Sequence, residues 1–72
     1  MKLTDYEFKK VKLTNIEGQT FVGEVGDYIY PEDNEPEVEG IILECPVRND
    51  GYKYEYPVRF NEPEIVSIET IA

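Results

Sequence analysis

VKLTNIEGQTFVGEV, residues 11–25, decides the fold. Val11 and Leu13 alternate with Lys10, Lys12 and Thr14, the period of a strand with one apolar and one wet face. Asn15-Ile16-Glu17-Gly18 breaks that period, and Gly18 supplies the positive φ that a tight turn demands. Thr20–Ile29 is the longest strand expected. In it Phe21, Gly23, Val25 and Asp27 share one face, and Val22, Glu24, Gly26 and Tyr28 share the other. Neither face stays apolar to its end. Gly23 and Gly26 in the interior mark bends at which inside and outside exchange. A strand bent in this way can serve both sides of a small, strongly curved β-barrel.

On the N-terminal side, Thr4 is placed to cap a short helix over about residues 4–9. Asp5 and Glu7 lie in its first turn and Lys9 and Lys10 at its end, the charge order that suits the helix dipole. Leu3, Tyr6 and Phe8 give it an apolar side that could lid one end of the barrel. On the C-terminal side, residues 31–39 hold five carboxylates and two prolines and read as an exposed loop. A strand resumes over 40–48, with Pro46 marking an edge or bulge near its end. Asn49-Asp50-Gly51 is a hairpin turn. Tyr52, Tyr54, Tyr56, Val58 and Phe60 then alternate with Lys53, Glu55, Pro57 and Arg59, which predicts a fourth strand over 52–60. Asn61–Glu64 makes a single-turn connection to a last strand over 65–71. The expected architecture is all-β: one domain over 1–72, a short helix followed by a five-stranded bent barrel.

Composition narrows the function classes. Seventy-two residues allow one domain, and a chain of that size buries only about 60% of its extended surface. Sixteen acidic against seven basic residues give a net charge of −9. Nucleic-acid binding draws its affinity from Lys and Arg, so this balance opposes it unless the cations gather on one face. Cys45 is the only cysteine and histidine is absent. No internal disulfide, zinc or haem spacing follows, and Cys45 in the run Ile41–Cys45 reads as a small buried side chain. The N-terminal MKLTDYEFKK has no apolar stretch of signal-peptide length, and nothing reaches the roughly twenty apolar residues of a membrane span. A cytoplasmic location is the expectation.

The same residues carry a family resemblance. Val11-x-Leu13, Gly18, Phe21-x-Gly23-x-Val25, Tyr28 and the closing Glu64-Ile65-Val66-Ser67-Ile68 resemble the Sm-like family, small barrels that often form rings and bind RNA. The chain also looks like short uncharacterised Gram-positive proteins of that type, in its start and in its Ser67-Ile68-Glu69 ending. Turn glycines with alternating Val and Leu suit Tudor and SH3-like barrels as well. The resemblance implies RNA contacts from an Asp and a Met-Asn pair after the bent strand, and from an Arg-Gly or Lys-Gly pair near the end. Here Ile29 stands at the Asp position, Asp33-Asn34 is a displaced echo, and the later stretch reads Asn61-Glu62-Pro63-Glu64. The resemblance implies that the fold can carry over while the U-rich RNA site does not.

No catalytic constellation is evident: there is no histidine, no thiol partner and no phosphate-binding Gly loop. No cofactor or small-molecule substrate is indicated. Glu32, Asp33, Glu35, Glu37 and Glu39 lack the spacing of a dedicated Ca²⁺ site and read as a solvated loop. The tyrosines have two readings. Tyr28, Tyr30, Tyr52, Tyr54 and Tyr56, with Asp33 and Asn34, form a candidate interaction surface for extended peptides or unpaired bases. Alternatively the rings fill or cover the barrel with hydroxyls reaching water, the reading favoured here. Three functions are compatible with these residues: a non-catalytic module that self-associates or docks a protein through strand edges, ranked first; an RNA binder, opposed by charge; and an acidic decoy for another protein's nucleic-acid cleft.

Overall fold

The computed structural model describes residues 2–71; Met1 and Ala72, the two ends of the expected 1–72 domain, lie outside the described residues. Five strands are present: β1 Lys10–Asn15, β2 Thr20–Ile29, β3 Gly40–Arg48, β4 Val58–Asn61 and β5 Ile65–Thr70. All pairings are antiparallel, in the order β4-β3-β2-β1-β5. β4 and β5 are therefore the two edges of the sheet, yet a single 3₁₀ turn, Glu62–Glu64, joins them. Edges three residues apart must meet, so the sheet curls into a barrel. Among the described residues β4 and β5 do not pair, and the barrel stays open along that seam.

Two bulges between β2 and β3 bend the sheet. One falls on β2: Val25 pairs with Leu43 and Asp27 with Ile42, leaving Gly26 as the extra residue. Before it Phe21, Gly23 and Val25 face inward; after it Asp27 is exposed and Tyr28 packs on the core. Inside and outside exchange at Gly26. The second bulge is on β3, where Cys45 and Pro46 together oppose Gly23. A Cβ at Gly23 would lie 3.2 Å from the Pro46 Cα and 3.3 Å from the Glu44 carbonyl oxygen. The bare glycine is what lets this bulge close against β2.

The core consists of Leu3, Val11, Leu13, Phe21, Val25, Ile41, Leu43, Phe60 and Ile65. These are the inward positions of all five strands plus one plug. Leu3, fully buried, is the plug; it closes one end of the barrel from a 3₁₀ turn, Leu3–Tyr6. The expected helix over 4–9 is thus a single turn, and Thr4 does not cap it; the position before the turn is Lys2. Phe8 stops it by turning to φ 65° and donating its N–H to the Val25 carbonyl at 2.8 Å, so the chain is captured by β2. Phe8 consequently points to solvent instead of joining the apolar side.

Two further expectations are corrected by the β3 bulge. Cys45 takes φ 44° and is exposed, while Pro46 occupies the interior place beside it. The strand expected over 52–60 reduces to Val58–Asn61. β3 turns away at Cys45-Pro46, so Tyr52–Pro57 lacks a continuous partner. Its backbone pairs with β3 at the single Val47–Lys53 bridge among the described residues, made by the Arg48 N–H to the Tyr52 carbonyl and the Tyr54 N–H to the Pro46 carbonyl.

Candidate interaction surface

The candidate residues fall into two groups. Tyr28 and Tyr30 stand at the C-terminal end of β2, whereas Tyr54 packs against Phe21 at its start. Seven residues of extended chain separate those points, on the order of 20 Å. They do not form one groove.

At the hairpin end, the aromatic contacts run outward from the core. Phe60 meets Phe21 at 4.9 Å between centroids, and Phe21 meets Tyr54 at 6.1 Å. Tyr54 is then flanked edge-on by Tyr52 at 4.8 Å and Tyr56 at 5.7 Å, with interplanar angles of 83° and 84°. Such T-shaped contacts match the positive ring edge to the negative face. Tyr54 is half-buried, but Tyr52 is 50% and Tyr56 56% exposed. Tyr54 packs against the core, while Tyr52 and Tyr56 stand out from it.

Arg48 braces this ladder. Its Nε and Nη2 donate to the two carboxylate oxygens of Asp50 at 3.0 and 2.8 Å, and Nη1 donates to the Tyr54 hydroxyl at 3.2 Å. The guanidinium carbon lies 5.0 Å from the Tyr52 centroid and 5.9 Å from that of Tyr54, within cation–π range. Asp50 also accepts the Tyr52 N–H at 3.1 Å. The Arg48 hydrogen bonds first, and this N–H second, hold the Asp50 carboxyl down at about 2. The same pairing raises Arg48 above its ordinary value. Gly51, at φ 90°, closes the three-residue turn that sets Arg48 and Asp50 side by side.

At the other end, Tyr28 and Tyr30 meet edge-on at 4.9 Å. The Tyr28 hydroxyl donates to Glu39 Oε1 at 3.1 Å, and the same oxygen accepts the Leu3 N–H at 3.3 Å. Glu39 thereby ties the Leu3 plug to β2. Burial first, and then the Glu39 hydrogen bond, push the Tyr28 phenol above its ordinary value. Tyr30 and Asp33 are exposed beside it.

Asn34 is not on this surface. It is 5% exposed, and the chain itself uses its whole hydrogen-bonding capacity. Nδ2 donates to the Val38 carbonyl at 2.8 Å and to Asn61 Oδ1 at 2.9 Å. Oδ1 accepts from the Glu35 N–H at 3.0 Å and from Arg59 Nη1 at 3.3 Å. Asn34 pins the acidic loop to the β4–β5 corner, and so serves the fold. Asn61, Glu39, Arg48 and Asp50 were not singled out as candidates. The Arg48-x-Asp50 spacing across an Asp-Gly turn was a usable signal for the clamp; nothing local announced Asn61 as the partner of Asn34.

The strand edges are the remaining feature of the surface. On β5 the Ile71 N–H bonds the Lys10 carbonyl, so strand alternation turns the Thr70 and Ile68 N–H groups outward. On β4 the Glu62 N–H bonds the Glu39 carbonyl, which turns those of Asn61 and Arg59 outward. The Glu64 carboxylate caps the Asn61 N–H at 2.8 Å, and Pro57 precedes the strand. Among the described residues β4 thus offers the Arg59 N–H, while β5 offers those of Ile68 and Thr70.

The structure was compared with known ones. An Sm-like archaeal protein from Pyrobaculum aerophilum superposes with a TM-score of 0.75 over 97% of this chain and 48% of its own, at 17% identity. The fold is Sm-like. This chain spans about half the length of that neighbour. No protein-family model matches the sequence, and no curated relative matches it. In this fold the displaced echo Asn34 and the later stretch at Asn61 lie side by side, and their polar atoms bond each other. No helix among the described residues is long and apolar enough to cross a membrane.

Proposed function

We propose that this chain is a non-catalytic Sm-like interaction module of the cytoplasm, which self-associates or docks a protein partner through its strand edges, chiefly β5. The observation that carries the reading is the outward N–H donors of Ile68 and Thr70 on an edge that no other strand covers among the described residues. Unpaired edges of this kind are templates for strand addition. The charge of −9 and the internally bonded Asn34–Asn61 pair weigh against RNA as the ligand.

Light scattering after size-exclusion chromatography, over a concentration series, tests the self-associating form. A mass above the 8.4 kDa of one chain is expected, falling toward it in Thr70→Pro, which removes an outward donor. One-chain mass at every concentration overturns it. RNA is tested in parallel with U-rich and A-rich oligonucleotides at low salt, where no salt-sensitive binding is expected.

A further inference from the structure

We propose that the Tyr52–Tyr54–Tyr56 ladder is a docking site for an arginine-rich segment of a partner protein, for which Arg48 is the template within the chain. The proposal rests on the interaction-module reading above and gives it a partner chemistry.

Three observations converge. First, the ladder has already recognised one guanidinium. Arg48 lies 5.0 Å from the Tyr52 centroid, bonds the Tyr54 hydroxyl, and is held in the plane of Asp50 by two parallel hydrogen bonds. Planar, bidentate and ring-stacked contact is what distinguishes arginine from lysine as a ligand. Second, Tyr56 repeats the geometry of Tyr52 on the far side of Tyr54. Both rings stand edge-on to Tyr54 and both are about half exposed. Arg48 lies over Tyr52 and Tyr54; among the described residues no arginine or lysine lies over Tyr56. Third, the charge of −9 draws cationic chains toward this protein and repels anionic ones.

The exposed rings are braced by the core. Tyr54 is wedged against Phe21, which packs on Phe60 in the core, and it holds Tyr52 and Tyr56 by their edges. Aromatic side chains fixed in the free protein bind with little loss of conformational freedom. The segment that carries them has loose pairing to β3 on one side, and among the described residues no strand of the sheet covers the other. A segment laid along it would bring a guanidinium over Tyr56, the ring that Arg48 leaves open.

The test uses the intact chain and a short labelled peptide of alternating Arg and Gly, its Lys-for-Arg counterpart, and single-stranded oligo-U. Fluorescence anisotropy should rank the arginine peptide first. Tyr52→Ala and Tyr56→Ala should each weaken it about two- to fivefold, the range expected of one exposed cation–π contact. Tyr56→Phe, which keeps the ring, should bind like the parent. NMR shifts in the unaltered protein give a readout that needs no variant: peptide should move the signals of Tyr52, Tyr54 and Tyr56. If the shifts instead track residues 31–39 and the Ala variants bind normally, charge alone is responsible and the proposal fails. Oligo-U binding in preference to the arginine peptide overturns it too. Light scattering on the same samples keeps the two readings apart, because oligomers that persist while peptide binding fails sink the ladder and spare the strand edges.

Discussion

Replacing Asn34 by Ala asks whether this residue serves the fold or a ligand. The substitution deletes four hydrogen bonds, of unequal weight. The two from Nδ2, at 2.8 and 2.9 Å, are short and link the loop to its own Val38 and to Asn61 on β4. The contact from Arg59 is long at 3.3 Å, and the Glu35 N–H belongs to an exposed residue, so water can replace both. At about 0.5–1.5 kcal/mol net per bond, the two Nδ2 bonds account for about 1–3 kcal/mol. For a domain of this size each kcal/mol moves Tm by about 4–8 °C. Urea unfolding followed by circular dichroism should show the midpoint falling with the slope unchanged, since the surface exposed on unfolding is the same. Asn34→Asp should be worse than Ala at neutral pH. A carboxylate has no proton for the Val38 carbonyl or for Asn61 Oδ1, and it confronts both with negative charge. Acidification should recover part of that loss, as the protonated acid regains one donor. Stability within about 0.5 kcal/mol of the parent, the value of an ordinary surface change, would refute the structural role and return Asn34 to the list of ligand contacts.

Gly23→Ala should lower the urea midpoint by an amount equal to about 1–3 kcal/mol, because the added methyl meets Pro46 and the Glu44 carbonyl oxygen at 3.2–3.3 Å; an unchanged midpoint would mean that the β3 bulge yields freely. The Arg48–Asp50 clamp sets a pH dependence. Asp50 titrates lower in the folded chain, about 2, than its ordinary 3.8, so its contribution to stability is complete above the ordinary value and disappears as pH falls toward about 2. A carboxyl NMR titration should place Asp50 near that low value and Arg48→Ala should return it to the usual range; identical midpoints would dissolve the clamp. Cys45, exposed on its bulge, should react fully with a thiol reagent in the absence of urea, whereas reaction only on unfolding would place it inside.

Local pattern was enough for the first hairpin and for the bend of β2. Val11 and Leu13, then Phe21, Gly23 and Val25, reach the core that their alternation announced, and Gly26 does reverse the faces. What local pattern did not carry was the behaviour of the partner strand. Tyr52, Tyr54, Tyr56, Val58 and Phe60 alternate without a fault, yet only the last two belong to β4, because β3 swerves at Cys45-Pro46. Pro46 hinted at a bulge, but a proline does not say that its neighbour will turn outward. Hence Cys45 was placed on the wrong side. The site was less legible still. Asn34 looked like a surface polar residue, and only its spatial neighbours Val38, Arg59 and Asn61 make it an internal one. The tyrosine stripe was visible as a stripe; that Tyr54 would anchor it while Tyr52 and Tyr56 stood out depended on Phe21, about thirty residues away.

The corner turn between β4 and β5 has one more effect, on crowding. By occupying the Asn61 amide, the Glu64 side chain removes a rung that a neighbouring molecule would need in order to latch on. A barrel with two equally receptive rims could add copies on both sides without end, whereas this one is blunted on one flank. In an assembly built through the edges as proposed, this carboxylate would leave the opposite rim as the main place for growth.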